Sequence, residues 1–165
     1  MEKIEEQKVG PKEGKENVLE GFKIGVFGII RDEQNRVLLC LRTDYDMWNL
    51  PGGGLEKGES PWDGTIREVK EETGFDVEIV RLAGVYSKPD KNEVIFNFEC
   101  QITGGEATLN DEARDIKWFA FDEIPHNTSP KHIERIKDLL ENKPETIMKV
   151  QSGKSSIELI KEGKL

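Results

Sequence analysis

The sequence predicts a mixed α+β chain in a layered α/β/α arrangement. Three observations predict it. The order of elements is strands, helix, several strands, helix. No regular βαβ alternation is present, which excludes a doubly wound parallel sheet. Both helical stretches carry their own start signals and an apolar face. The 165 residues suggest one domain, long enough for a hydrophobic core without metal or disulfide staples.

Residues 1–20 are polar, with Lys and Glu interspersed, and read as a mobile or loosely docked arm. "FKIGVFGIIRD" (Phe22 to Asp32) is apolar and β-branched, a buried strand. "DEQN" is a turn by composition and "RVLLCLR" (Arg36 to Arg42) a returning strand, so a hairpin is expected. A glycine-rich loop follows. Ser60 then offers an N-cap, Pro61 suits the first helical position and Gly74 suits a left-handed stop. These signals bound a helix over Pro61 to Thr73. Asp76 to Ser87, Glu93 to Ile102 and Asp115 to Ile124 are strand-like, separated by turn formers. Ser129 to Lys143 is a second helix, capped by Ser129, with Ile133, Ile136, Leu139 and Leu140 as its apolar stripe. Residues 21–143 thus form the expected domain. Residues 144–165 form an extension in which "SSIELI" is an expected edge strand.

The formal net charge is -9, which opposes general binding to nucleic acid or anionic membrane. A phosphate substrate would need a cation or a local basic patch. Cys40 and Cys100 lie in apolar runs and lack zinc-site spacing, so they read as buried free thiols. No run has the length of a membrane span and the first residues lack a signal-peptide core; a cytoplasmic protein is the expectation.

The first helix carries the chemistry. On a wheel of about 100° per residue, Trp62, Ile66, Val69 and Thr73 fall on the side expected to pack on a sheet. Glu68, Glu71 and Glu72 fall together on the other. Like charges at that spacing repel, and near a helix C-terminus they also oppose the dipole. A solvated face balanced by Arg67 and Lys70 is the plain explanation. A hard divalent cation is the better one, because Mg²⁺ takes oxygen ligands and gives an acidic protein a positive surface for phosphate. Gly52, Gly53 and Gly54 remove side chains where backbone approaches metal or substrate. Glu59 is placed to pair with Arg67 and brace loop against helix. The loop is neither a dinucleotide fingerprint nor a P-loop, since Gly-Glu-Ser stands where Gly-Lys-Ser/Thr is required.

With this spacing the stretch resembles the Nudix box: Gly53, five residues, Glu59, seven residues, Arg67-Glu68, Val69, then Glu71-Glu72, Gly74 and Phe75. Every fixed position matches. The flanks "WNLPGG" and "IKWFAFDEIP" extend the resemblance over roughly Phe22 to Asn142. Gly64 and Thr65 stand where the family often has alanines; both are small. The resemblance implies a Nudix-like fold with a mixed β-sheet between helices. It implies Mg²⁺- or Mn²⁺-dependent hydrolysis of a nucleoside diphosphate linked to another moiety. Glu68, Glu71 and Glu72 are then the metal ligands, with the Gly53 carbonyl as a further donor. Glu71 is the first candidate for the base, ahead of Glu112 and Glu59. Arg42 resembles a phosphate-contacting arginine of some relatives; a plain surface arginine is the alternative, as a solvated loop glutamate is for Glu112.

Substrate choice lies outside the box. "YSKPDKNEV" places Pro89 near a proline found in relatives that cleave ADP-ribose, so an ADP-ribose-like compound is expected, with nucleoside triphosphates close behind. The alternative class is a non-hydrolytic nucleotide-binding or regulatory domain, which usually loses box glutamates that are all kept here. Trp48 reads as a packing residue, and His126 and His132 as solvated or capping groups. The expected partner is a small-molecule nucleotide, not nucleic acid or membrane. A homodimer is an arrangement the family allows and no residue here selects.

Overall fold

The computed structural model describes residues 21–141 and 144–165. The expected N-terminal arm lies outside the described residues, as do the last two residues of the second predicted helix.

Two sheets share the core. The larger is mixed, in the order β4 (Gly52–Gly54), β1 (Lys23–Ile30), β6 (Glu93–Gly105), β5 (Phe75–Lys88), β8 (Ile147–Val150). The parallel pairs are β1 with β6 and β5 with β8; β4 and β5 run antiparallel to their partners β1 and β6. The smaller sheet is β3 (Trp48–Asn49), β2 (Val37–Arg42), β7 (Ala113–Phe119).

Helix α1 (Pro61–Thr73) has the bounds that its local signals predict. Ser60 accepts a hydrogen bond from the Asp63 N–H, and Gly74 closes the helix with a φ of +82°. It packs on one face of the larger sheet, where Val69 joins Ile30, Leu38, Val77, Phe98 and Cys100 in one core cluster. Helix α2 (Pro130–Glu141) covers the other face, where Ile136 and Leu139 meet Ile29, Val37, Leu39 and Leu50. Neighbouring residues Ile29 and Ile30 thus point to opposite faces and feed both cores, as strand alternation requires. Both cysteines are buried free thiols, and Trp48 is buried with its ring edge-on to Phe119.

The expected hairpin is corrected. The turn exists: the Asp32 N–H donates to the Arg36 carbonyl at 3.0 Å, and Arg31 bridges Val37. Beyond it the strands part into different sheets. Both edges of β1 are taken by β4 and β6, so β2 pairs with β3 and β7 instead.

The expected strand "SSIELI" is also corrected. It is helix α3 (Ser156–Lys161), opened by a capping box in which Ser155 and Glu158 satisfy each other's backbone N–H groups. The edge strand of this region is β8. A buried network ties β8 and α3 down: Arg135 Nε donates to Gln151 Oε1, and Gln151 Nε2 donates to the Lys131 carbonyl and Glu134. Ser129 and Ser156 share a hydroxyl hydrogen bond of 2.7 Å.

The helical wheel needs rotation. Trp62 is 54% exposed, and the buried residues of α1 are Gly64, Thr65, Glu68, Val69 and Thr73. The small residues Gly64 and Thr65 set that face, because they let the helix approach β1. A Cβ on Gly64 would stand 2.7 Å from Leu55 Cδ1 and 3.5 Å from Val26 Cγ2. The buried arc therefore runs along the Glu68 and Glu72 side, and only Glu71 faces solvent.

Candidate metal and substrate site

The site forms where α1, the glycine strand β4 and the loop before β7 meet. Glu68, Glu71 and Glu112 each bring a carboxylate oxygen within 4.8 Å of the others. Glu68 is 8% exposed; Glu71 and Glu112 are exposed. Glu112 comes from a loop some forty positions away in sequence, fixed by a residue that sequence reasoning missed. Asn110 donates from Nδ2 to the Glu71 carbonyl at 2.5 Å, and its Oδ1 accepts the N–H groups of Glu112 (2.8 Å) and Ala113 (3.1 Å). An Asn followed two residues later by a paired N–H is an Asx turn, legible in "LNDEARD" only once the loop's destination is known.

Gly53 makes the space. A Cβ there would lie 2.7 Å and 2.9 Å from the two Glu68 carboxylate oxygens. Gly52 is required for its backbone: φ is +154°, and a Cβ would run into the Val26 carbonyl oxygen. Gly54 has open space around its Cβ position, so steric need does not explain the third glycine.

Arg67 fastens loop to helix. Its Nε donates to Glu59 Oε1 at 2.6 Å and one terminal nitrogen to Glu59 Oε2 at 3.0 Å and the Gly54 carbonyl at 3.2 Å. The other terminal nitrogen reaches Glu68 (2.9 Å) and Glu71 (3.1 Å). Glu59 Oε2 also accepts the Glu56 N–H. The Arg67 hydrogen bonds, aided by that N–H, hold the Glu59 carboxyl down to about 2.

Glu72 stands apart from the cluster of three. Its Oε2 accepts the Gly52 N–H at 3.3 Å, and it faces the adjoining cavity. Burial pushes its carboxyl up to about 8; the charges of Glu68 and Glu112 add to this, while the Gly52 N–H and Arg42 oppose it. Burial also raises Glu68 despite Arg67, with Glu71 and Glu112 contributing. Burial first, and neighbouring carboxylate charge after it, thus raise the proton affinity of Glu68 and Glu72, an electrostatic setting suited to a cation.

The cavity beside it has a volume of about 520 Å³. Arg42, Asn49, Glu72, Glu112, Phe27, His132, Lys88, Ser155 and Ser156 are among its lining residues. Arg42 is held by Asp44 through two hydrogen bonds of 2.7 and 2.5 Å. Asn49 Oδ1 is buried without a hydrogen-bond partner among the described residues. His132 corrects the expectation of a solvated or capping group. It is buried, accepts the Leu50 N–H on Nδ1 at 3.0 Å and packs edge-on to Phe27. Burial first, then the charges of Arg135, Lys88 and Arg42, holds it well below the ordinary imidazole range, so it is neutral. His126 is exposed.

These residues fit a hard divalent ion: all donors are oxygens, converging beside a glycine whose missing side chain leaves room. A family model described as the NUDIX domain matches residues 21–140. A MutT-like protein of Streptomyces ambofaciens is 36% identical over 72% of this chain and 77% of its own length. A putative 8-oxo-dGTP diphosphatase of Bacillus subtilis is 34% identical over 69% of this chain and 77% of its own length. Among solved structures, an ADP-ribose pyrophosphatase from Streptococcus suis superposes with a TM-score of 0.65 at 26% identity, covering 76% of this chain and 98% of that one.

Proposed function

Because this chain belongs to the NUDIX family and is a hydrolase acting on phosphoanhydride bonds, we propose that it is a divalent-metal-dependent pyrophosphohydrolase of small nucleotides. Its substrate is a nucleoside diphosphate linked to another moiety, an ADP-ribose-like compound ahead of a nucleoside triphosphate. The observation that carries the reading is the convergence of Glu68, Glu71 and Glu112 next to Gly53.

Glu68, Glu71 and Glu112 would hold Mg²⁺ or Mn²⁺, with Glu72 and the Gly53 carbonyl as further donors. When bound, such an ion offsets charge on the breaking P–O bond and lowers the pKa of a water. The chain's own groups do the rest. Arg67 orients Glu68 and Glu71 at once. Glu71 is tied through Oε2, leaving Oε1 to accept a proton from the attacking water. Arg42 faces the cavity with a cationic edge for a phosphate oxygen, and Asn49 Oδ1 offers an acceptor to a substrate N–H. The cavity exceeds the needs of a phosphate tail alone, which supports a diphosphate with a second moiety. The name carried by the Streptococcus relative supports the ADP-ribose-like class, and that of the Bacillus relative the triphosphate class.

Two buried free thiols support a reducing compartment such as the cytoplasm. No described helix is long and apolar enough to cross a membrane.

The test is a nucleotide panel with Mg²⁺ and product identification. AMP plus ribose phosphate from ADP-ribose supports the first substrate; pyrophosphate from triphosphates supports the second. No turnover of any of them overturns the reading. Glu71→Gln should abolish turnover in a protein that still folds, which separates an enzyme from a binding module.

A further inference from the structure

The cavity continues past Glu93 into a second hollow of about 320 Å³ that shares Lys88, Glu93 and Ser155 with it. Lys23, Lys88, Lys91 and Lys131 line this hollow against Glu93 and Glu158. Four ammonium groups against two carboxylates is an unusual local balance in a chain of net charge -9.

The strand register brings them together. Glu93 of β6 pairs with Lys23 of β1 on one side and Lys88 of β5 on the other, so the three side chains lie in one row on one face of the sheet. Lys91 comes from the single 3₁₀ turn between β5 and β6, and Lys131 from the first turn of α2. Lys88 forms an ion pair with Glu93. Lys91 lies 3.5 Å from Glu158, and Lys131 donates to the Gly153 carbonyl at 3.1 Å. Lys23 has no ion-pair partner among the described residues. Tethering α3 accounts for Lys91 and Lys131, but not for the row of Lys23 and Lys88. Burial, with the charge of Lys88 next, lowers the proton affinity of Lys131.

Position relates the hollow to the carboxylates. Val26 pairs with Gly53, and Lys23 lies three residues before it on the same strand. That is roughly 10 Å along β1, on the opposite face of the strand from Val26, and the cavity lined by Gly53, Glu72, Glu112, Lys88 and Glu93 joins the two places.

We propose that this lysine-lined hollow is an anion subsite that takes a phosphate monoester on the substrate, about one sugar unit from the scissile diphosphate. The inference rests on the hydrolase reading above for its substrate but not for its binding chemistry. Lys23, Lys88, Lys91, Glu93 and Lys131 lie within the family match, and Ser155 and Glu158, from the segment beyond it, complete the lining.

Two measurements test it. The first is the ratio of kcat/KM for ADP-ribose bearing a 2′-phosphate to that for ADP-ribose. Wild type should favour the phosphorylated compound. Lys23→Gln should cut the ratio about threefold, the scale of one exposed charge contact. Glu93→Gln removes the carboxylate between Lys23 and Lys88 and should raise it. A structural role alone moves both variants the same way, which overturns the proposal, as does a ratio that neither changes. Lys57→Gln, an exposed lysine elsewhere, controls for net charge.

The second is calorimetric titration of inorganic phosphate with divalent metal chelated. Binding should weaken in Lys23→Gln and strengthen in Glu93→Gln. Absent turnover with this pattern intact, the hydrolase reading fails and the anion site stands. Phosphate binding indifferent to both variants overturns the site whatever the turnover. Phosphate binding that tracks the variants with an unmoved substrate ratio assigns the hollow to free phosphate and overturns the substrate claim.

Discussion

Gly53→Ala should disable the enzyme while leaving the fold nearly intact. The added Cβ would stand 2.7 Å from Glu68 Oε1, 2.8 Å from its Cδ and 2.9 Å from Oε2. Ordinary contact lies near 3.5 Å, so the carboxylate must retreat by roughly 0.8 Å. The obstructing atoms are the far end of a flexible side chain, not backbone, so relief is cheap for folding. It is expensive for the site, because a displacement of about 1 Å at a reacting centre costs on the order of 10²-fold in rate, or about 2.7 kcal/mol of barrier. The assay is initial-rate kinetics at saturating Mg²⁺ on the best compound of the nucleotide panel, with a thermal melt alongside. Turnover should fall by about 10²-fold with Tm shifted by only a few degrees. Gly54→Ala, with nothing beyond its chain neighbours within 4 Å of its Cβ position among the described residues, should lose far less. Full activity in Gly53→Ala, or an equal loss in Gly54→Ala, refutes the claim that Gly53 makes room for Glu68.

Three further outcomes are expected. Gly52→Ala should lower Tm outright, since its Cβ meets backbone at Val26 and Phe27 and φ is +154°; a melt like wild type contradicts this. Arg67→Lys should cut kcat/KM about tenfold, because an ammonium lacks the planar fork that spans Glu59, Gly54, Glu68 and Glu71; kinetics at fixed Mg²⁺ check it. His132 is buried neutral, with its pKa well below the ordinary 6.5. The unfolded chain therefore binds more protons below pH 6.5, and stability present above that pH is lost as pH falls. Between pH 6.5 and 5.5 the His132 contribution to that loss is about 1 kcal/mol; urea melts of wild type and a folded His132→Phe variant should differ by this slope, because the opposite slope from Glu72, pushed up to about 8, is common to both.

What the sequence disclosed was local. Ser60, Pro61 and Gly74 act within a few residues of the bonds they make, so α1 was bounded without knowledge of the sheet. The Glu59–Arg67 brace was legible because both ends lie in one loop–helix unit. Nonlocal pairing was not legible. Nothing in "RVLLCLR" says that β1 has both edges occupied, so a true turn at Asp32 to Arg36 was extended into a hairpin that does not form. Trp62 was placed inward because it is apolar and on period. The small Gly64 and Thr65 decided the contact face instead, and so sank Glu68 and Glu72 beside the glycine strand. "SSIELI" carries its helix signal openly, Ser155 followed three residues later by Glu158, and the edge-strand expectation passes over that capping box. Glu112 was found as a loop acid by resemblance; only the Asn110 bridge to Glu71 explains why it arrives.

The central claim is that Glu68, Glu71 and Glu112 form one cation site. Titration with Mn²⁺ followed by electron paramagnetic resonance tests it without any substrate. Wild type should bind the ion. Glu68→Gln and Glu71→Gln should each weaken binding by at least about tenfold with unchanged circular dichroism, and Glu112→Gln should weaken it as well. Equal Mn²⁺ binding in wild type and all three variants would contradict the account.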